Sequence, residues 1–286
     1  ASGVGKSGLG VVRVDNERLL AAQISAGLPI QWLSGEGVVE IDDPHSFDII
    51  VSAPPFSLPN ARELFDTQQG KIELSDSRTE LEMLRACLTL TERGEAVFIL
   101  PNSFFFRKPK SVLEALPQFG LHLSAVIALP EGAFSPTTNV PTNLVFISRQ
   151  VQSNLFIGEL VPRGDLASLA ANVRQRRPGP TRELGRLVAE DSFRGWQAFV
   201  LQDEIAELAQ ATGLRAVRLT DITDRVNLGR TGLERFDDLP NAVYLPLLGT
   251  SRAVASPEHL TVKLQNVVQL VLREDVALAQ YVAGFF

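Results

Sequence analysis

Cysteine and histidine are scarce in this 286-residue chain. The single cysteine, Cys87, rules out a disulfide framework and a thiolate zinc site. The three histidines stand apart in the sequence, which argues against a histidine metal cluster. No window approaches the ~20 continuous apolar residues of a membrane span. The longest apolar stretches, such as Ala96 to Leu100, are strand-sized. The charged, apolar and small-residue pattern of a secretory signal is also missing. Together these absences predict a reducing, cytoplasmic setting with no membrane partner. Bulk positive charge is lacking too: 27 Lys and Arg against 33 Asp and Glu give a net charge of −6, unlike a protein that coats nucleic acid by charge alone.

Basic residues are nevertheless clustered. Between Arg149 and Arg186 seven arginines face three acids, and Arg107, Lys108 and Lys110 form a second knot. Each cluster reads either as a solvated face or as a local nucleic-acid surface. The chain opens on a Gly-rich stretch, Ala1 to Gly10, without Met, and closes on Gly284-Phe285-Phe286 after an apolar helical pattern. An apolar terminus is an unusual end for a domain, so a fragment is expected.

Along the chain, apolar strand-like runs alternate with helical patterns. Strands are expected at Val11 to Val14, Ile30 to Leu33, Phe47 to Val51, Ala96 to Leu100, Ala125 to Leu129 and Leu144 to Ile147. Helical composition is found at Glu17 to Ala26, Glu80 to Leu90 and Ser111 to Leu116. That alternation predicts an α/β fold with βαβ units, a mainly parallel sheet and strands buried on both faces. Ser57 to Thr79 is polar and reads as a long functional loop. From about Arg149 the pattern changes to helices at Leu166 to Val173 and Glu204 to Ala211, then strand-rich material after Asn241. The expected division is a catalytic domain over 1–150, a helical linker over 151–238, and the start of a specificity-type or interaction module over 239–286.

The sharpest signal is Phe47-Asp48-Ile49-Ile50-Val51-Ser52-Ala53-Pro54-Pro55-Phe56. Two prolines at the end of a buried strand fix φ and remove two backbone donors, making a rigid lip followed by an aromatic. In an open α/β sheet, ligands bind at that edge. A rigid lip with an aromatic face suits a flat base drawn out of its stack. A plain Pro-Pro turn, with Phe56 returning to the core, is the structural alternative.

This stretch resembles the Asn-Pro-Pro-Phe/Tyr signature of N6-adenine DNA methyltransferases, and the resemblance continues downstream. Gln69 to Asp76 is similar to the segment after that signature in modification subunits of type I restriction systems. Glu92 to Phe106, with Leu100-Pro101-Asn102, resembles their next block. The segment from Leu129-Pro130-Glu131 through Phe134 to Thr142-Asn143-Leu144 resembles the one after it. The four blocks follow in the family's order over Phe47 to Arg149. The resemblance implies a class I, Rossmann-like methyltransferase sheet with a smaller C-terminal α+β region. It also implies transfer of a methyl group from S-adenosylmethionine to adenine N6 in duplex DNA. Phe56 would stack on the flipped base while Pro54 and Pro55 shape its pocket, and specificity and restriction subunits would be partners. Asp15, after Val11 to Val14, matches the acid that holds the cofactor's ribose hydroxyls, and Glu36 matches the acid near its adenine.

Two departures stand out. The signature's Asn is Ala53 here, and alanine cannot accept a hydrogen bond from the exocyclic amine. The Gly-rich cofactor turn would lie about 20 residues before Asp15, by analogy with dinucleotide folds, where only Ala1 to Gly10 is available. The implied enzyme is therefore inactive or crippled. The rival reading is a non-catalytic DNA-binding or assembly subunit on the same scaffold. A third reading takes Gly5-Lys6-Ser7 as the end of a phosphate-binding loop. Cys87, among Leu84 and Leu88 on a helix, reads as a buried inert thiol. At the C-terminus, Val276, Ala279, Val282, Ala283 and Phe286 recur at helical spacing and should bury a face, against the rest of the chain or against a partner.

Overall fold

The structure is a computed structural model. It describes residues 8–12, 30–34, 47–56, 58–106, 108–135, 139–247 and 252–285. The chain forms two compact units, residues 1–202 and 203–286, and the division falls within one long helix.

In the first unit, β1 (Gly8–Val12) and β2 (Ile30–Ser34) form a parallel pair. The main sheet comprises β3 (Phe47–Ser52), β6 (Leu90–Pro101), β7 (His122–Ala128), β8 (Thr142–Ser148), β9 (Leu155–Glu159) and β10 (Arg186–Val188). Its order is β10-β9-β7-β8-β6-β3. β3 runs parallel to β6, and β8 is inserted antiparallel between β6 and β7. β9 is parallel to β7, and β10 antiparallel to β9. The sheet is thus mixed rather than mainly parallel. Because β8 opposes both of its neighbours, β3, β6, β7 and β9 all point the same way. Their C-terminal ends share one edge.

Burial follows position in the sheet. β7 and β9 are buried almost throughout, as expected of strands covered on both faces. β3 is not: Ile49 is 64% and Val51 75% exposed. Among the described strands β3 pairs only with β6, so it lies at the sheet's end and not at its centre.

The stretch read as a long polar loop is instead a hairpin, β4 (Asn60–Thr67) and β5 (Gly70–Ser77). The turn is Gln68-Gln69. Gly70 follows it at φ +123°, and the Thr67 hydroxyl donates to the Gly70 carbonyl at 2.8 Å. Alternation holds the hairpin to the core through Phe65 and Leu74, both buried. Helix α1 (Arg78–Leu88) follows directly. Ser77 caps it by accepting from the Glu80 amide. It buries Leu81, Leu84 and Cys87 against the sheet, and Arg85 ties it back to Glu63 of β4 at 2.8 Å. The short helix α2 (Val112–Ala115) is capped by Ser111, and α3 (Leu166–Gln175) by Asp165.

The long helix α4 (Trp196–Thr212) buries Trp196 in the first unit's core. The second unit is a three-stranded antiparallel sheet of order β11-β13-β12, from β11 (Thr223–Leu228), β12 (Ala242–Pro246) and β13 (Val267–Leu272). Residues 260–266, expected to be strand-rich, contain a 3-10 turn at Leu264–Asn266 instead. Gln269 of β13 is fully buried and satisfied: it donates to the Asp237 carbonyl and the Tyr244 hydroxyl, and accepts from Asn227. The terminal helix α5 (Ala279–Ala283) is shorter than its pattern predicts. Its Ala279 and Val282 join the cluster of Val243, Leu270 and Leu272, with Ala283 packed against it, whereas Val276 of the same pattern is 48% exposed and Phe286 lies outside the described residues.

Candidate functional site

The shared edge of β3, β6, β7 and β9 gathers the segments singled out from the sequence. Ala53 to Phe56 leave β3 there, Asn102 follows β6, Leu129 to Phe134 follow β7, and Thr142-Asn143 begin β8. Hydrogen bonds fasten these segments together. The Asn102 amide donates to the Pro141 carbonyl at 2.9 Å, and the Leu129 amide to the Thr142 carbonyl at 2.9 Å. The buried Thr79 hydroxyl in the first turn of α1 donates to the Pro55 carbonyl at 2.7 Å. This bond fixes the second proline of the lip to the helix.

Phe56 does not return to the hydrophobic core. Its ring meets Phe134 edge-to-face, centroids 5.9 Å apart and planes at 89°, and it stays half-buried. Ala53 and Pro55 are exposed and Pro54 half-buried. The structure therefore brings Ala53, Pro54, Pro55 and Phe56 to one edge with Phe134. Asp15, Glu36 and the Gly5-Lys6-Ser7 stretch lie outside the described residues.

Beside the lip is a second polar constellation that the sequence reading passed over. Glu80 is 8% exposed although ionisable, and its Oε2 is buried without a hydrogen-bond partner. Burial, reinforced by the neighbouring Asp76 charge, pushes its carboxyl above the usual range, and Lys108 opposes that shift. Ser77-Arg78-Thr79-Glu80 carries the capping-box spacing, which would have drawn attention to it. The box is not closed, because Asp76 takes the Ser77 amide at 3.0 Å. The other Asp76 oxygen accepts from the Val112 amide at 3.0 Å.

The arginine-rich stretch is largely structural. Arg149 donates to the carbonyls of Leu88, Leu90 and Phe119. Arg176 donates to those of Ser124 and Asn154, and Arg186 to those of Gly179 and Thr181. Cys87 is fully buried, and desolvation drives its thiol far above the ordinary range. Among the described residues no three His, Cys, Asp or Glu side chains assemble as a metal cluster, and no helix is long and apolar enough to cross a membrane.

Comparison with known proteins gives a family match and a set of structural likenesses. The family model for N-6 DNA methylase matches residues 33–223, more than half of the chain. No curated protein matches. Among solved structures, the methyltransferase subunit of a Streptococcus thermophilus type I restriction-modification system is 16% identical with a TM-score of 0.49, over 63% of this chain and 44% of that one. The M protein of the type I restriction enzyme EcoKI is 18% identical with a TM-score of 0.42, over 57% and 38%. A Vibrio vulnificus protein crystallised as a type I modification subunit is 21% identical with a TM-score of 0.41, over 55% and 36%. The chain spans less than half the length of each of these. The mixed sheet with its parallel strands and flanking helices is an α/β class I methyltransferase fold, and the chain belongs to the N-6 DNA methylase family.

Proposed function

We propose that this chain is the scaffold of an S-adenosylmethionine-dependent N6-adenine DNA methyltransferase of a restriction-modification system, and that Ala53 leaves it crippled in methyl transfer. The observation that carries this reading is the rigid Pro54-Pro55-Phe56 lip, held by Thr79 at the edge where the Leu-Pro-Asn and Thr-Asn segments also lie. Phe56 stacks on a flipped adenine, with Phe134 braced against its ring. Pro54 and Pro55 set the distance of the base from the strand end. Residue 53 should orient the exocyclic nitrogen by accepting one of its hydrogens, and a methyl side chain leaves that task undone.

The residues at hand suit the cofactor. β1 and β2 run parallel, so Val12 and Ser34 end on the same side of that pair. Asp15 follows Val12 by three residues and Glu36 follows Ser34 by two. In sequence position these are the two carboxylates available after the strands, and carboxylates are the acceptors that ribose hydroxyls and a base amine require. When bound, the cofactor supplies an electrophilic methyl group. The Gln68-Gln69 tip of the β4–β5 hairpin approaches the duplex. The catalytic part extends past residue 150, since β9 and β10 complete its sheet, and residues 239–286 form the opening of a module that meets specificity and restriction subunits.

Methyl transfer from labelled S-adenosylmethionine to an adenine-containing duplex tests the reading on the full-length protein. Losing one oriented acceptor at a reacting centre costs about 3–4 kcal/mol, so Ala53→Asn should raise the rate roughly a hundredfold to a thousandfold. Equal rates for the two would overturn the role given to residue 53. A second reading, a non-catalytic DNA-binding or assembly subunit, is favoured by Ala53 itself. It prevails if DNA is bound and Ala53→Asn restores nothing.

A further inference from the structure

A groove of about 580 Å³ runs between α3 and one face of the main sheet. Leu169 of α3 packs with Ile127 of β7 and Phe156 of β9, but Leu144 and Phe146 of β8 stay half-buried and line the groove. Leu166, the first residue of α3, lines it too and is more than half exposed. Arg93 of β6 and Arg174 of α3 bring charge to it. Both are exposed, and among the described residues neither is paired with an acid. Glu95 and Arg176, the other charges there, offset one another and are already held. The Ser124 hydroxyl donates to Glu95, and Arg176 donates to the Ser124 and Asn154 carbonyls. The groove is therefore apolar along its floor and net positive.

The same chain carries a helix that complements it. Leu201, Ile205 and Leu208 of α4 are each more than half exposed, and their i, i+4, i+7 spacing sets them in one stripe. α4 contains Asp203, Glu204 and Glu207 but no Lys or Arg. An acidic helix with an apolar stripe matches an apolar groove edged with guanidinium groups, in the helix-in-groove mode of recognition. The helix starts on the wrong side of the sheet to fill its own groove. Trp196 belongs to the core that holds Val145 and Ile147, on the face of β8 opposite to Leu144 and Phe146. We propose that two copies of this chain associate by laying α4 of each into the α3 groove of the other. Exchange in both directions is two-fold symmetric and closes at two copies. The proposal goes beyond the methyltransferase reading and does not depend on it.

Sedimentation equilibrium of the full chain tests this. The mass should rise towards two copies with a midpoint on the order of 10 µM, as two small contacts would give. Arg93→Glu with Arg174→Glu reverses the groove, and Glu204→Lys with Glu207→Lys reverses the helix. All four positions are exposed, so the changes do not threaten folding. Each reversed variant alone should associate at least tenfold more weakly, because like charges then meet. Mixed one to one, the two variants should pair as tightly as wild type, since every groove again faces a helix of opposite sign. Ile205→Gln should weaken association about tenfold with the charges intact. A single-copy mass at all concentrations would overturn the proposal, and masses climbing past two copies would overturn its reciprocal closure. If wild type pairs but the reversed variants pair equally well alone, or fail to rescue one another when mixed, the dimer uses another surface and the proposal falls. Ile205→Gln pairing as wild type does would remove the stripe from the interface and would also sink it.

Discussion

Arg149 holds three pieces of the first unit together, and removing it should be the most damaging single change at a half-exposed position. Its guanidinium donates to the carbonyls of Leu88 at 3.0 Å, Leu90 at 3.0 Å and Phe119 at 3.2 Å. Leu88 ends α1, Leu90 begins β6, and Phe119 ends the 3-10 turn before β7. The cation also sits at the C-terminus of α1, where the helix dipole favours positive charge. Each hydrogen bond from a charged group contributes about 1.5–3 kcal/mol when buried. Arg149 is half-buried, so water reaches part of the vacated site, and the three bonds together are worth ~3–4 kcal/mol. Arg149→Met keeps the aliphatic stem and removes the donors. Equilibrium urea unfolding of the full chain, followed by tryptophan fluorescence, should show the midpoint falling by about 1–2 M at an unchanged slope of ~2–3 kcal/mol/M. Arg149→Lys should recover roughly a third of the loss, since one ammonium cannot span three carbonyls in fixed directions. A loss below ~1 kcal/mol for Arg149→Met, or full rescue by Lys, would refute the clamp.

Cys87 should resist a thiol reagent in the folded chain and react completely in denaturant; native labelling would contradict its burial. Gly185→Ala should cost roughly 2–4 kcal/mol by thermal melting, because the backbone sits at φ +128° and a new Cβ would lie 2.2 Å from the buried Phe156 ring. Glu80 should make stability pH-dependent. Its folded carboxyl titrates above the unfolded one, because burial and the Asp76 charge outweigh Lys108. Its contribution is therefore fully present below the ordinary carboxylate value and is lost as pH rises through the raised one. The stability difference between wild type and Glu80→Gln should shift against the wild type from pH ~4 to pH ~7; a difference independent of pH would count against it.

Local chemistry was the legible part of this fold. Pro54 and Pro55 announce a strand end whatever the neighbours do, since they lack donors. Ser-x-x-Glu at 77–80 and Gly120, the αL C-cap after Phe119, are equally local signals. The β4–β5 hairpin was obscured because Gln68-Gln69 is not a turn-forming pair such as Asn-Gly, and because its apolar alternation is sparse: Ala61 and Phe65 on one strand, Ile72 and Leu74 on the other. The arginines of 149–186 looked like solvated charge because their partners are backbone carbonyls. A carbonyl leaves no trace in residue identity, and the Arg149 bonds reach 30 to 61 positions along the chain.

Strand order explains the remaining gap, including the site. Whether the segments after β3, β6 and β7 meet depends on three strands pointing the same way, and that depends on β8 entering between β6 and β7 in the opposite sense. Nothing in the Thr142–Ser148 sequence states its direction: its alternation of Val145 and Ile147 inward is the same read either way. The exposure of Ile49 and Val51 is a consequence of position in the same order, because an apolar run reads as buried on both faces only if strands and helices cover it. The Phe56–Phe134 contact and the Thr79–Pro55 bond are therefore tertiary facts, and both bear on the proposed base pocket. Residue 53 is the opposite case. Its departure from asparagine is visible in the sequence alone, and the structure adds only how the lip beside it is held: Thr79 donates its hydroxyl hydrogen to the Pro55 carbonyl.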